Sequence, residues 1–352
     1  MPAAVLSPEA PVDVTPVRRG RARRARRRAF GIAVLAVLLA CLFVAMVMLG
    51  TTIYPVSDVL AVIAGQDVPG ASFNIGRLRI PRAVTGLLAG VALGIAGSTF
   101  QTLLRNPLAS PDVIGITSGA SAAAVLSLVV LHLSGGVTMV LALAVGIATA
   151  VVIYAAARGG DSTGGRLILI GIGIGAMLEA VVSYLIQRAA EWDVAVAMRW
   201  LTGSLNGSRM EDVPPLAIAV LVIVPIVLLL SRDLDALALG DASATALGVR
   251  VDRARVLLIV CAVALACFAT ATTGPIAFVA FLAGPIAARI VGPGSSLVVP
   301  AALVGACLVL GADLLGQFAF DTRFPVGVIT GILGAPYLIY LLIRTSRRGG
   351  SA

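Results

Sequence analysis

Residues 77–120 read RLRIPRAVTGLLAGVALGIAGSTFQTLLRNPLASPDVIGITSGA. The stretch opens on Arg77, Arg79 and Arg82, runs through an apolar segment over 83–104, and stops at a second polar block, Arg105-Asn106-Pro107. About 20 apolar residues in helical form rise about 30 Å, the thickness of a bilayer's hydrocarbon, so the segment predicts a membrane span. Asn106-Pro107 and Ser110-Pro111 each favour a turn, which ends the span near Arg105. Asn106 and Ser118 can then satisfy backbone groups freed at membrane depth, where irregular backbone survives only when buried in protein. Taken alone, the block is equally consistent with a plain helix break.

The same apolar period recurs on either side. Windows of this length predict spans over 29–50, 83–104, 113–132, 136–157, 166–187, 213–230, 254–273, 276–292, 298–318 and 326–343. The third and eighth are short or flanked by Gly and Pro, which suits a bent or partly re-entrant segment. The expected fold is therefore an all-α polytopic membrane bundle of about ten helices. A transmembrane domain over 29–344 lies between a disordered Arg-rich cytoplasmic tail, 1–28, and a short cytoplasmic tail, 345–352. Composition agrees: of 352 residues 59% are hydrophobic and 12% charged, with a mean hydropathy of +1.04. A soluble chain of this length cannot hide so much apolar surface.

A formal net charge of +9 resembles a nucleic-acid signal until the charges are placed. All 26 basic residues are arginine. Eight of them, between Arg18 and Arg28, crowd ahead of the first span, where basic residues hold a helix end in the cytoplasm and attract anionic headgroups. With ten spans and that start, 19 arginines fall on the cytoplasmic side and 7 outside, and both termini are cytoplasmic. No nucleic acid is expected, because aromatic residues do not interleave with the arginines. Arg27-Arg28-Ala29-Phe30 resembles a twin-arginine leader and Leu38-Leu39-Ala40-Cys41 a lipoprotein box. The apolar run continues past both to Gly50, however, as an uncleaved first span does. Cys41, Cys261, Cys267 and Cys307 all lie in apolar runs, which disfavours a disulfide framework or zinc site.

Chemistry-bearing residues are few. A P-loop needs a lysine and the chain has none, so energy must come from another chain; no cofactor is expected. His132 ends a span, where an interfacial position competes with acid–base chemistry. Glu179 and Asp313 are acids at lipid depth and therefore candidates for lining or gating a path, unless neighbouring hydroxyls or backbone cap them. A route for a bare hard cation would want several oxygen or imidazole ligands, so a metal cargo should arrive wrapped in a chelator. Gly90, Gly94, Gly171, Gly173 and Gly175 allow close helix packing, or line a pathway.

Several motifs follow one another in order. They are Arg79-Ile80-Pro81-Arg82, then Gln101 through Asn106-Pro107-Leu108-Ala109 to Gly115, then Ser118-Gly119-Ala120. Leu239-Gly240-Asp241 with Leu247-Gly248-Val249 comes next. Gly274-Pro275-Ile276-Ala277-Phe278-Val279, Pro325-Val326-Gly327 and Gly334-Ala335-Pro336 close the series. This succession resembles the permease family of iron-chelate and cobalamin importers, the type II ABC importers.

The resemblance implies a dimer of permeases, identical or paralogous, with the translocation path along their interface. Two ATP-binding subunits would dock against the loop from Arg232 to Arg255 through Leu239, Gly240, Asp241, Leu247 and Gly248. The composition of that loop alone also fits a solvated connector. An extracytoplasmic binding protein would meet Arg79, Arg82 and Arg323, for which snorkelling at a span end is the alternative. Gln101, Asn106 and Pro107 join Glu179 and Asp313 as path or gate candidates. The chain departs from the family pattern in three places: Gln317 and Arg323 stand where many members have arginine and glutamate, and Gly284-Pro285-Ile286-Ala287-Ala288-Arg289 lacks a histidine. These variants lean towards ferric siderophore as cargo, with cobalamin or haem as the alternative. A secondary transporter would show paired membrane carboxylates and an inverted repeat, and neither is clear.

Overall fold

A computed structural model describes residues 15–50, 52–157, 163–292, 294 and 296–349. Among them the chain is helical and forms no strand. Fourteen α-helices follow in order. They are α1 Thr15–Met48, α2 Val56–Ile63, α3 Ile80–Leu103, α4 Ile116–Val125, α5 Gly136–Ala157, α6 Thr163–Arg188 and α7 Glu191–Leu201. After these come α8 Val213–Leu229, α9 Ser231–Ala238, α10 Asp241–Ala246, α11 Val251–Thr273, α12 Val279–Val291, α13 Val298–Phe318 and α14 Val326–Gly349. A wider π-type turn, Ser72–Arg79, leads into α3, and another, Leu126–Val130, extends α4.

Seven helical segments among the described residues are long and apolar enough to cross a membrane, and three shorter apolar ones run Ile116–Val130, Val279–Val291 and Val326–Leu341. All ten coincide with the windows read from sequence. The short ones include the third and eighth windows. The eighth is shortened because Gly274 (φ 72°) and Phe278 (φ 64°) both take left-handed φ values, so helix begins only at Val279.

α3 is the central post. It is buried over 78% of its apolar window and lies against α8, α11, α12 and α13. Its approach to α13 is backbone on backbone: a Cβ on Gly90 would stand 2.6 Å from the Gly305 carbonyl oxygen. One on Gly97 would collide with the carbonyl of Ala280, on α12. In lipid, where apolar burial gives helices little reason to associate, such small-residue contacts carry the packing. A Cβ on Gly171 of α6 would likewise meet the Ile114 carbonyl, and one on Gly175 would stand 3.3 Å from the Gly115 Cα, while one on Gly173 would face open space. The α6 glycines thus divide between packing and an open face.

The start of the chain differs from expectation. Residues 1–14 lie outside the described residues, but from Thr15 the Arg-rich segment is helix continuous with the first span. Arginine is a good helix former, and the span below supplies a nucleus already made. The two arginines nearest the membrane are also used. The Arg27 guanidinium donates to the Arg289 carbonyl at 2.9 Å and the Ile290 carbonyl at 3.4 Å, and Arg28 to the Ser296 carbonyl at 3.4 Å. Arg27 thereby satisfies carbonyls in the last turn of α12, where a cation also complements the helix dipole. At the other terminus α14 runs to Gly349, into the stretch expected as a tail.

Candidate functional site

Two polar clusters lie at opposite ends of α3, and the first is the loop face. The α8–α11 connection folds into two short helices, α9 and α10, separated by Gly240 (φ 108°) and followed by Gly248 (φ 86°), backbone that only glycine adopts cheaply. Leu239 and Leu247 flank α10 and are 68% and 66% exposed. Asp241 stands at the start of α10 and accepts from Arg105 at 2.8 Å and from Arg255 at 2.7 Å. The hydrogen bond from Arg255, with the charge of both guanidiniums, holds the Asp241 carboxyl below its usual range. Arg105 also donates to the Leu237 carbonyl at 3.3 Å.

Arg105 reaches that position through an unfavourable backbone. α3 ends with the Asn106 amide bonded to the Gln101 carbonyl at 3.1 Å, and the residue between helix and turn, Arg105, has φ 48°. Glycine usually occupies this place, because a side chain there costs about 1 kcal/mol or more. The arginine is kept at that cost and ties α3 to the α9–α10 loop. Behind the tie lies a cavity of about 540 Å3 lined by Ser98, Thr102, Arg105, Asp235 and Leu239 among others. Burial pushes the Asp235 carboxyl up, and the nearby charge of Arg28 partly offsets this.

Gln101, Asn106 and Pro107 build the turn itself. The Gln101 amide donates to the carbonyls of Pro107, 3.1 Å, and Phe281, 2.9 Å, joining α3 to α12. The Asn106 Oδ1 accepts from the Leu108 amide at 2.9 Å. Gln101 and Asn106 thus satisfy irregular backbone around Pro107.

At the opposite end of α3, Arg82 makes a bidentate pair with Asp313 of α13 at 2.7 and 2.8 Å, and donates to Asn206 Oδ1 at 2.6 Å. Asp313 is fully buried. Arg82 and Asp313 were expected in separate roles, outer docking and path lining; they are one structural unit. Arg79 is also engaged, donating to the carbonyls of Met48 at 2.8 Å and Thr52 at 2.7 Å and lying 5.1 Å from the centre of the Tyr54 ring. Arg323 is exposed. His132, with φ 50°, lies 3.9 Å from Asp193.

Glu179 is exposed on α6, a span whose apolar window is only 17% buried. Ile172, Met177 and Gly173 are exposed on the same helix. A carboxylate cannot face hydrocarbon at that depth without a cover.

The FecCD transport family matches residues 37–344. The chain belongs to that family. Curated relatives include the ferric enterobactin transport system permease protein FepG of Escherichia coli (strain K12), 39% identical over 301 residues, 85% of this chain and 91% of the relative. The achromobactin transport system permease protein CbrC of Dickeya dadantii is 39% identical over 315 residues, covering 88% and 89%. The cobalamin import system permease protein BtuC of Halobacterium salinarum is 34% identical over 274 residues, covering 77% and 74%. Among solved structures, a chain assigned to the metal-chelate type of ABC transporter, in an inward-facing conformation, superposes with a TM-score of 0.78 at 26% identity, covering 89% of this chain and 98% of that one. The protein is thus a multi-pass membrane permease of an importer, with the type II ABC bundle, and not an enzyme.

The departures from the FecCD motifs have a structural reading at one position. Gln317, in place of arginine, donates to Asp313 Oδ2 at 2.7 Å. With Arg82 already paired to that carboxylate, a neutral donor completes the site without a second charge. Sequence reading missed Asn206, Gln317 and Arg255 as partners. The only signal for them is polarity at span ends, which does not say which ends meet.

Proposed function

We propose that this chain is half of the membrane pathway of an ATP-driven importer for ferric siderophore. The observation that carries the reading is the 39% identity over most of the chain to permeases named for ferric enterobactin and for achromobactin. The geometry supports a chelated rather than bare cargo: of the two lipid-depth acids, Asp313 is spent on Arg82, leaving Glu179, too few oxygens to pass a naked hard cation. In this reading a second permease, identical or paralogous, covers the exposed α6 face and the path runs between the two copies. Two ATP-binding subunits press on α9 and α10 through Leu239 and Leu247, and Arg105, Asp241 and Arg255 carry their movement into α3 and α11. The Arg323 side faces outward and receives a binding protein; both termini are cytoplasmic.

The 34% identity to a cobalamin permease favours one alternative cargo. Uptake of radiolabelled iron, presented on a panel of purified siderophores to a deletion strain with and without the gene, decides between them, with labelled cobalamin alongside. Rescue of one siderophore class establishes the cargo. Rescue of cobalamin entry alone moves the same machine to the second cargo.

A further inference from the structure

The seam between α5 and α11 carries an apolar groove of about 230 Å3. Ile147, Val151 and Tyr154 of α5 and Val256, Val260 and Val263 of α11 line it. Both helices are apolar spans, so the groove opens onto hydrocarbon. The start of α11 forms a second hollow, of about 420 Å3, bounded by Arg250, Val251, Asp252 and Arg253. Arg250 and Arg253 are exposed, and neither side chain makes a hydrogen bond or ion pair among the described residues. Asp252 opposes them with one negative charge, which leaves the hollow net positive. No side chain caps the first turn of α11 either, so its free amides add to the attraction for an anion.

The lengths agree with a lipid. From Arg253 to Val263 the helix rises about 15 Å, half of the roughly 30 Å hydrocarbon core and therefore the depth of one leaflet. Tyr154 stands at the charged end of the groove, at the level where aromatic side chains meet headgroups. We propose that this seam is a site for one anionic phospholipid. Its phosphate lies against Arg250 and Arg253, and one acyl chain fills the groove between α5 and α11. Arg255, two residues further along, holds Asp241, so the occupied site adjoins the first turn of the helix that anchors α10. A zwitterionic lipid suits the groove equally but returns a cation to the arginines.

The test is native mass spectrometry of the purified full chain, titrated with phosphatidylglycerol and with phosphatidylethanolamine of the same acyl chains. Phosphatidylglycerol is expected to be retained better by on the order of tenfold. Arg250→Gln with Arg253→Gln, both at exposed positions, should equalise the two lipids. Val260→Trp, which fills the groove without adding charge, should reduce retention of both. Circular dichroism confirms that each variant is folded. Equal retention of the two lipids by the native chain overturns the proposal. So does a preference that survives the double arginine variant, which would place it at the arginines of α1, or retention untouched by Val260→Trp.

Discussion

At the scale of single residues, Arg105 and Arg82 show opposite uses of one side chain. Arg105 accepts a left-handed backbone in order to hold Asp241. Arg105→Gly should therefore leave thermal stability nearly unchanged, because relief of the backbone offsets a lost surface ion pair, each on the order of 1 kcal/mol. Transport and substrate-stimulated ATP hydrolysis should nevertheless fall sharply, as read in proteoliposomes. A large loss of stability with coupling intact would reverse the assignment. The tie has a defined pH range. The Asp241 carboxyl is depressed by its arginines, so its contribution is full above the ordinary carboxylate value of 3.8 and is lost only as pH falls through the lower, folded value. Arg82 is different: its partner Asp313 is fully buried, and leaving either charge alone costs about 3–5 kcal/mol. Asp313→Leu should accordingly destabilise strongly in thermal unfolding, whereas the double change Arg82→Met with Asp313→Leu should recover most of the loss. A double variant no better than the single one would show that the pair does more than neutralise itself.

At the scale of elements, the apolar helices were legible because period and length are properties of local sequence. The ten apolar windows coincide with helices, and Asn106-Pro107 marks the end of α3. α2 and α7 were not legible: they are short helices whose polar and apolar residues mix, and their helicity depends on packing beside spans. The Arg-rich segment was misread for a related reason. An Arg-rich composition favours disorder only if the segment stands alone, and it does not, since the apolar part of α1 nucleates it. Among the candidate residues, Asp241, Leu239 and Leu247 were singled out by their motifs. The ties of Asp241 to Arg105 and Arg255 were not, because these join segments more than a hundred residues apart in one case and 14 in the other. One prediction belongs to the loop. Leu239→Asp or Leu247→Asp should abolish stimulated ATP hydrolysis by the assembled importer while leaving the permease folded in membranes, since both side chains lie on the surface. Unchanged stimulation would remove α10 from the docking face.

At the scale of the whole molecule, the exposed apolar surface divides into parts that lipid can cover and one that it cannot. α5 presents Val151 and Val152, which suit hydrocarbon. α6 presents Glu179 and Ser183 together with Met177, which do not. A cysteine at Met177, in a chain whose four native cysteines are replaced, should crosslink to the second permease in membranes, while one at Val151 should not. Crosslinking at Val151 alone would move the partner to the other side of the bundle. This division was only half visible from sequence: Glu179 was marked as unusual, but its rotation about α6 depends on where the helix leans against Ile114 and Gly115.

The fastening of α1 bears on how the chain is made. Its far end is held by Arg79, which emerges from the ribosome soon after the helix itself. Its near end is held by Arg27, whose acceptors, the carbonyls of Arg289 and Ile290, are synthesised only after most of the bundle. α1 is therefore secured at one end early and at the other only after most of the bundle has been made. Until then its Arg-rich half lacks that contact, and the late bond records that the rest of the bundle has arrived.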